Sequence, residues 1–174
     1  DTSVPGDTGP GAETDGGSTD ADSGPMFPKP APGDVIITEF MASPGVLSDA
    51  NGEYIELYNT HATKAFNLDG CSMEDLGNDS HVLGASANEL VIGPGDRLTL
   101  ARSSMPGFTP DYVYGRWFLA GSDEIIIKCG GQTIDIVDYT GWSESPTTGA
   151  ARGLAPGKHT ATANDQGDNW CDQT

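Results

Sequence analysis

Beyond residue 33 the chain reads as short apolar runs separated by turn residues. VIITEF (35–40), EYIELYN (53–59), KAFNLDG (64–70), CSMEDL (71–76), ELVI (89–92), RLTLAR (97–102), DYVYG (111–115), DEIIIKC (123–129) and QTIDIVDY (132–139) are rich in β-branched and aromatic residues. Several alternate apolar with polar positions, and such runs predict strands. No segment repeats apolar residues at helical spacing over roughly ten positions, so no long helix is expected. The punctuation agrees: Gly93-Pro94-Gly95-Asp96 precedes one strand, and Gly130-Gly131 supplies the two-residue connection of a hairpin. Strands recurring at about 8–12 residue spacing predict an all-β sandwich over residues 34–142.

The flanks differ from this middle. Residues 1–33 are Asp, Gly, Pro, Ser and Thr with almost no large apolar side chain. Such a stretch buries too little surface to offset its ordering entropy, so a disordered or extended acidic linker is expected. Residues 143–174 are polar and irregular, yet they include Leu154, Trp170 and Cys171. Indole rings are costly to leave in water, which predicts a C-terminal tail that wraps the sandwich, docks Trp170 and ties down Cys171.

Charge narrows the partners. Eight Lys plus Arg against 26 Asp plus Glu leave −18 over 174 residues, a surface that repels phosphate backbones and anionic lipid heads. Nucleic acid is not expected. No apolar run approaches the roughly 20 residues of a membrane span, so membrane contact is expected only through an anchor upstream of Asp1. A start at Asp1 rather than Met leads us to expect a removed export signal and an extracellular or cell-surface location, as a lipoprotein in one form.

Three cysteines, Cys71, Cys129 and Cys171, lie too far apart for a CxxC metal or redox motif. One disulfide and one free thiol is the simplest count, in keeping with an exported chain. Cys129 with Cys171 is the expected bridge. It would staple the tail to the sandwich, stabilise by about 2–4 kcal/mol and leave Cys71 as a small buried apolar residue. The alternatives are Cys71 with Cys129 across the sheets, or three buried reduced cysteines.

Candidate chemistry is sparse. In SDANGEYIELYN (48–59), Asp49, Asn51 and Glu53 have the oxygen spacing that opens a calcium loop. No cofactor is expected, with calcium as the alternative, and a calcium site would need Asp165 or Asp168 from the tail to complete the cage. The plainer reading makes Asp49 and Asn51 Asx turns, gives Gly52 a positive φ and starts a strand at Glu53. His61, His81 and His159 sit in turns or the tail, without a GxSxG elbow or an HExxH helix, so a hydrolase is only a weak alternative. Tyr54, Tyr58, Tyr112 and Tyr114 are candidates for a surface that takes a protein or a cell-surface polysaccharide. Tyr54, Glu56 and Tyr58 alternate with Ile55 and Leu57, which turns those three away from the core. Edge strands offer pairing with a second copy of the chain.

Taken in order, VIITEFMASP, NGEYIELYNTHATKAFNLDGCSMEDLG, ELVIGPGDRLTLAR and DEIIIKCGGQTIDIVDY resemble the lamin-tail family, an immunoglobulin-like β-sandwich, in its exported bacterial type. Asn164-Asp165 and Asn169-Trp170-Cys171 resemble the segment that follows the domain in such members. Cys71 stands where many members have Trp. The resemblance implies a binding or scaffolding module without catalytic residues. The expectation is therefore a non-enzymatic structural or interaction protein for adhesion, scaffolding or assembly, with a calcium-dependent or carbohydrate-binding module as the alternative.

Overall fold

A computed structural model describes residue 2, residues 27–84 and residues 89–173. Most of the expected linker, residues 1 and 3–26, lies outside the described residues. Along the described chain come β1 (Val35–Met41), α1 (Asp49–Gly52), β2 (Tyr54–Asn59), β3 (Phe66–Asn67), β4 (Ser72–Glu74), β5 (Ser80–Val82) and β6 (Val91–Ile92). They are followed by β7 (Arg97–Ala101), β8 (Tyr112–Val113), β9 (Glu124–Cys129), β10 (Gln132–Asp138), β11 (Ala151–Leu154), α2 (Ala161–Asn164), a 3-10 turn (Gly167–Asn169) and β12 (Trp170–Gln173).

The strands form an all-β sandwich. One sheet has the order β12-β11-β1-β2-β7-β8, the other β10-β9-β4-β5, and β3 pairs with β6 as a small third ladder. Pairing is antiparallel except between β7 and β8. Alternation decides the layers: Ile55 and Leu57 are buried while Tyr54, Glu56 and Tyr58 between them are half-exposed. Leu98 and Leu100 repeat the pattern on β7, and Ile125, Ile127, Met73 and Val137 supply the facing layer. Gly130 and Gly131 both have positive φ, 59° and 80°, the geometry of the tight hairpin expected between β9 and β10.

The boundaries move at both ends. The Asn67 N–H donates to the Pro28 carbonyl at 2.9 Å and the Gly33 N–H to the Ile134 carbonyl at 2.8 Å. Residues 28–33 thus belong to the sandwich rather than to the linker. At the other end the segment expected to be irregular contributes β11 and β12, which extend the six-stranded sheet past β1. Trp170 docks as expected, 4% exposed, with its ring centroid 5.4 Å from Phe40 and 5.6 Å from Trp142.

The expected Cys129–Cys171 bridge is not formed; Cys129 is bonded to Cys71, and Cys171 is free and exposed. Register explains the choice. Ser72 pairs with Lys128, so the residues just outside that pair, Cys71 and Cys129, face each other with Cα atoms 4.3 Å apart. The bridge joins neighbouring strands at one end of the four-stranded sheet and does not cross between sheets. Cys171 pairs instead opposite Gly153, in the other sheet.

Candidate functional site

The calcium-like loop folds as a turn of helix. Gly52 and Glu53 donate their N–H groups to Ser48 and Asp49 at 2.9 and 3.2 Å. Gly52 does not take the expected left-handed conformation; it is needed for space, because a Cβ there would lie 2.4 Å from Pro44 Cβ. Asp49 and Asn51 are exposed on α1. Glu53 points inward and is 1% exposed, accepting from Arg102 at 3.1 Å and from the Leu119 N–H at 3.3 Å. Burial pushes its carboxyl up to about 7 against the lowering effect of those two donors. Asp165 follows α2, beside Asp135, and Asp168 lies in the 3-10 turn. Among the described residues no three His, Cys, Asp or Glu side chains converge on a point that could hold a metal. The expected cage of Asp49, Asn51, Glu53, Asp165 and Asp168 is not assembled.

The tyrosines separate in the same way. Tyr114 is buried, 4% exposed and edge-on to Trp117, so it belongs to the core rather than to a surface. Tyr112 is half-buried, with its hydroxyl 2.9 Å from His81 Nε2. Tyr54 and Tyr58 do share the outer face of the six-stranded sheet with Glu56, as alternation requires. His61 is engaged separately, 2.7 Å from Asp34.

That outer face holds a candidate site among the described residues. Register places Cys171, Gly153, Glu39, Glu56 and Thr99 in one row across β12, β11, β1, β2 and β7. Gly153 leaves a gap in this row. A groove of about 340 Å³ opens there, lined by Thr38, Glu39, Glu56 and Arg97 on one side and by Pro156, His159 and Gln173 on the other. A bulge in β1 after Ile37 brings Thr38 to the same face. The Thr38 hydroxyl donates to Glu56 at 2.7 Å and accepts from Arg97 at 2.9 Å, while Arg97 also pairs with Glu56.

Aromatic groups frame the far side. The Arg97 guanidinium lies 5.0 Å from the Tyr58 centroid, and His159 packs on the same ring at 5.1 Å. Burial, then Arg97, holds the His159 imidazole below its ordinary value, so it is neutral at neutral pH. The Tyr54 hydroxyl donates to Glu39, and burial with that carboxylate pushes the phenol up and keeps it protonated. The carboxylates of this groove are already bonded. They present fixed acceptor oxygens beside one guanidinium.

Alternation along β2 foretold half of this groove. Gly153, His159 and Gln173 escaped notice as a group because ARGL and WCDQ do not read as strands, and only their pairing brings them to Glu39. A family model described as Lamin Tail Domain matches residues 28–141. No curated protein matches the chain at a significant level. The groove straddles the end of the matched region: Glu39, Glu56 and Arg97 fall within it, and Gly153, His159 and Gln173 beyond it.

Proposed function

The chain belongs to the lamin tail domain family, a non-enzymatic immunoglobulin-like module, and from that premise we propose that it is an extracellular or cell-surface interaction module for adhesion, scaffolding or assembly. The groove at Gly153 carries this reading, because hydrogen-bonded and ion-paired polar groups line a recess on the outer face of the six-stranded sheet. The Cys71–Cys129 bond supports the location, since disulfides persist in oxidising compartments. Two carboxylates against one guanidinium, on a chain of net charge −18, favour a partner that brings hydroxyl or cationic donors. A surface protein and a cell-surface polysaccharide both supply them. Edges at β12 and β5 also leave backbone groups for pairing with a second copy.

The test uses the whole chain and a Gly153→Leu variant. The atoms nearest a Cβ at residue 153 are those of the Gln173 side chain, at 2.5–2.8 Å, and that side chain is exposed and held by its bonds to Cys171. The substitution therefore fills the groove by displacing that exposed side chain. Purified chain is applied to cell-wall polysaccharide and to intact source cells. We expect retention that falls at least about tenfold in the variant, or more than 1.4 kcal/mol in affinity. Equal retention of the two proteins would remove the groove from the reading, and retention of neither would remove the adhesive role.

A further inference from the structure

On the opposite side of β1 from the groove's carboxylates the C-terminal segment is fastened by a buried pair, Asp135 and Asn164. Helix α2 lies against β1 and β10 where both strands are irregular, β1 after Ile37 and β10 between Thr133 and Asp135. Asp135 Oδ2 accepts the Ile37 N–H at 2.7 Å and the Asn164 carboxamide N–H at 2.6 Å. Asn164 also donates to the Ile37 carbonyl at 3.1 Å, and its own backbone carbonyl accepts the Trp170 indole N–H at 2.8 Å. These bonds tie β1, β10, α2 and β12 together through three side chains, those of Asp135, Asn164 and Trp170.

The donor count does not close when Asp135 is ionised. Asp135 is 3% exposed and Asn164 0%, and the Oδ1 atom of each is buried without a donor. A carboxylate has no hydrogen to give, and the Asn164 oxygen only accepts. Leaving such groups buried and unmatched forfeits the hydrogen bonds they would make in water. One proton on Asp135 turns an orphaned acceptor into a donor, and the orphaned Asn164 oxygen is the kind of acceptor it can serve.

We propose that Asp135 and Asn164 form a proton-operated latch, closed when Asp135 is protonated and weakened when it ionises, that controls docking of residues 161–173 on the sandwich. The titration lies in a useful range. Burial pushes the Asp135 carboxyl up to about 7, opposed by the Ile37 N–H and the Asn164 carboxamide, and reinforced by the charge of Asp165. Asp165, beside α2, is the charged group that acts most strongly on it, and β1 and β10 face it with backbone N–H groups. A carboxyl raised by the burial that docking provides stabilises the docked segment while it is protonated, and that stability is lost as pH rises through about 7. Because β12 carries Gln173, and His159 precedes α2, the latch sits under one wall of the groove. It stands whether or not the groove binds anything.

Amide hydrogen exchange of the whole chain at pH 5 and pH 8, corrected for intrinsic exchange rates, tests it. Protection of residues 161–173 is expected to fall about 10- to 100-fold between the two conditions, while that of β2 and β7 changes less. Asp135→Asn supplies the missing N–H donor without a proton, so its segment is expected to stay protected at pH 8 with the pH dependence gone. Equal protection of the native segment at both conditions overturns the latch, and so does an unchanged pH dependence in the variant. Should the variant fail to fold, carbon-13 titration of the native Asp135 carboxyl decides: a midpoint near 7 supports the latch and one near 4 overturns it.

Discussion

Cys71 and Cys129 close a loop with a sequence separation of 58, and their bond constrains the unfolded chain more than any local contact does. In the chain-entropy model a loop of that length is worth about 4 kcal/mol. Replacing both by Ala should lower stability by roughly that amount, read as a shift in the urea midpoint. Peptide mapping of the native chain should find the Cys71–Cys129 link, with one reactive thiol per chain at Cys171. The wrong expectation about this bridge has a plain cause: three cysteines at wide spacing carry no register, and register was what chose the partner. Glu53 shows the same limit. Its place at the head of a strand was legible, but Arg102 and the Leu119 N–H, which hold it inside, are 49 and 66 positions away. Gly52 was legible as a special position and misread as to why, since nothing local reveals that Pro44 leans on its Cα.

Elements whose own side chains announce their burial were legible from the chain alone. VIITEF, EYIELYN, RLTLA, EIIIKC and QTIDIVD carry their apolar faces with them, and β1, β2, β7, β9 and β10 form where the alternation places them. SHV, ARGL and WCDQ do not, and β5, β11 and β12 exist because a neighbour offers a ladder. The same failure hid half of the groove. Within β12 the two faces should differ sharply in weight. Trp170→Ala removes a buried indole from the ring cluster of Phe40, Trp142 and Tyr139, together with its bond to Asn164, and should cost about 3–5 kcal/mol. Cys171→Ser, one residue on and facing out, should stay within about 0.5 kcal/mol. Chemical denaturation of the two variants measures both. Similar losses would mean that the strand is held by its backbone ladder and not by the indole.

At the scale of the whole molecule, charge and burial combine to set the pH of greatest stability. The net charge of −18 at pH 7 repels itself in the folded state, and protonating carboxylates relieves that repulsion. Two carboxyls reinforce the trend: burial raises Glu53 and Asp135 to about 7, so folding takes up protons between about 4 and 7, and stability falls as pH rises through that window. Each pH unit between the folded and unfolded values corresponds to about 1.4 kcal/mol, which makes these two buried groups a large lever on a marginally stable domain. Glu74 and Asp172 work the other way. Hydrogen bonds from Lys128 and Ser72 to Glu74, and from Thr147 and Arg152 to Asp172, lower these carboxyls, and the stability they contribute is lost in acid. The opposed slopes predict a maximum on the acid side of neutrality, near about pH 5. Thermal unfolding from pH 3 to pH 9 should show it. Salt separates the two causes, because 0.5 M NaCl shortens the screening length to about 4 Å and quiets surface repulsion while leaving desolvation of Glu53 and Asp135 in place. The fall from pH 5 to pH 8 should therefore shrink in salt without disappearing. A midpoint that rises steadily from pH 5 to pH 8 would show that neither carboxyl is held in the protonated form by its burial.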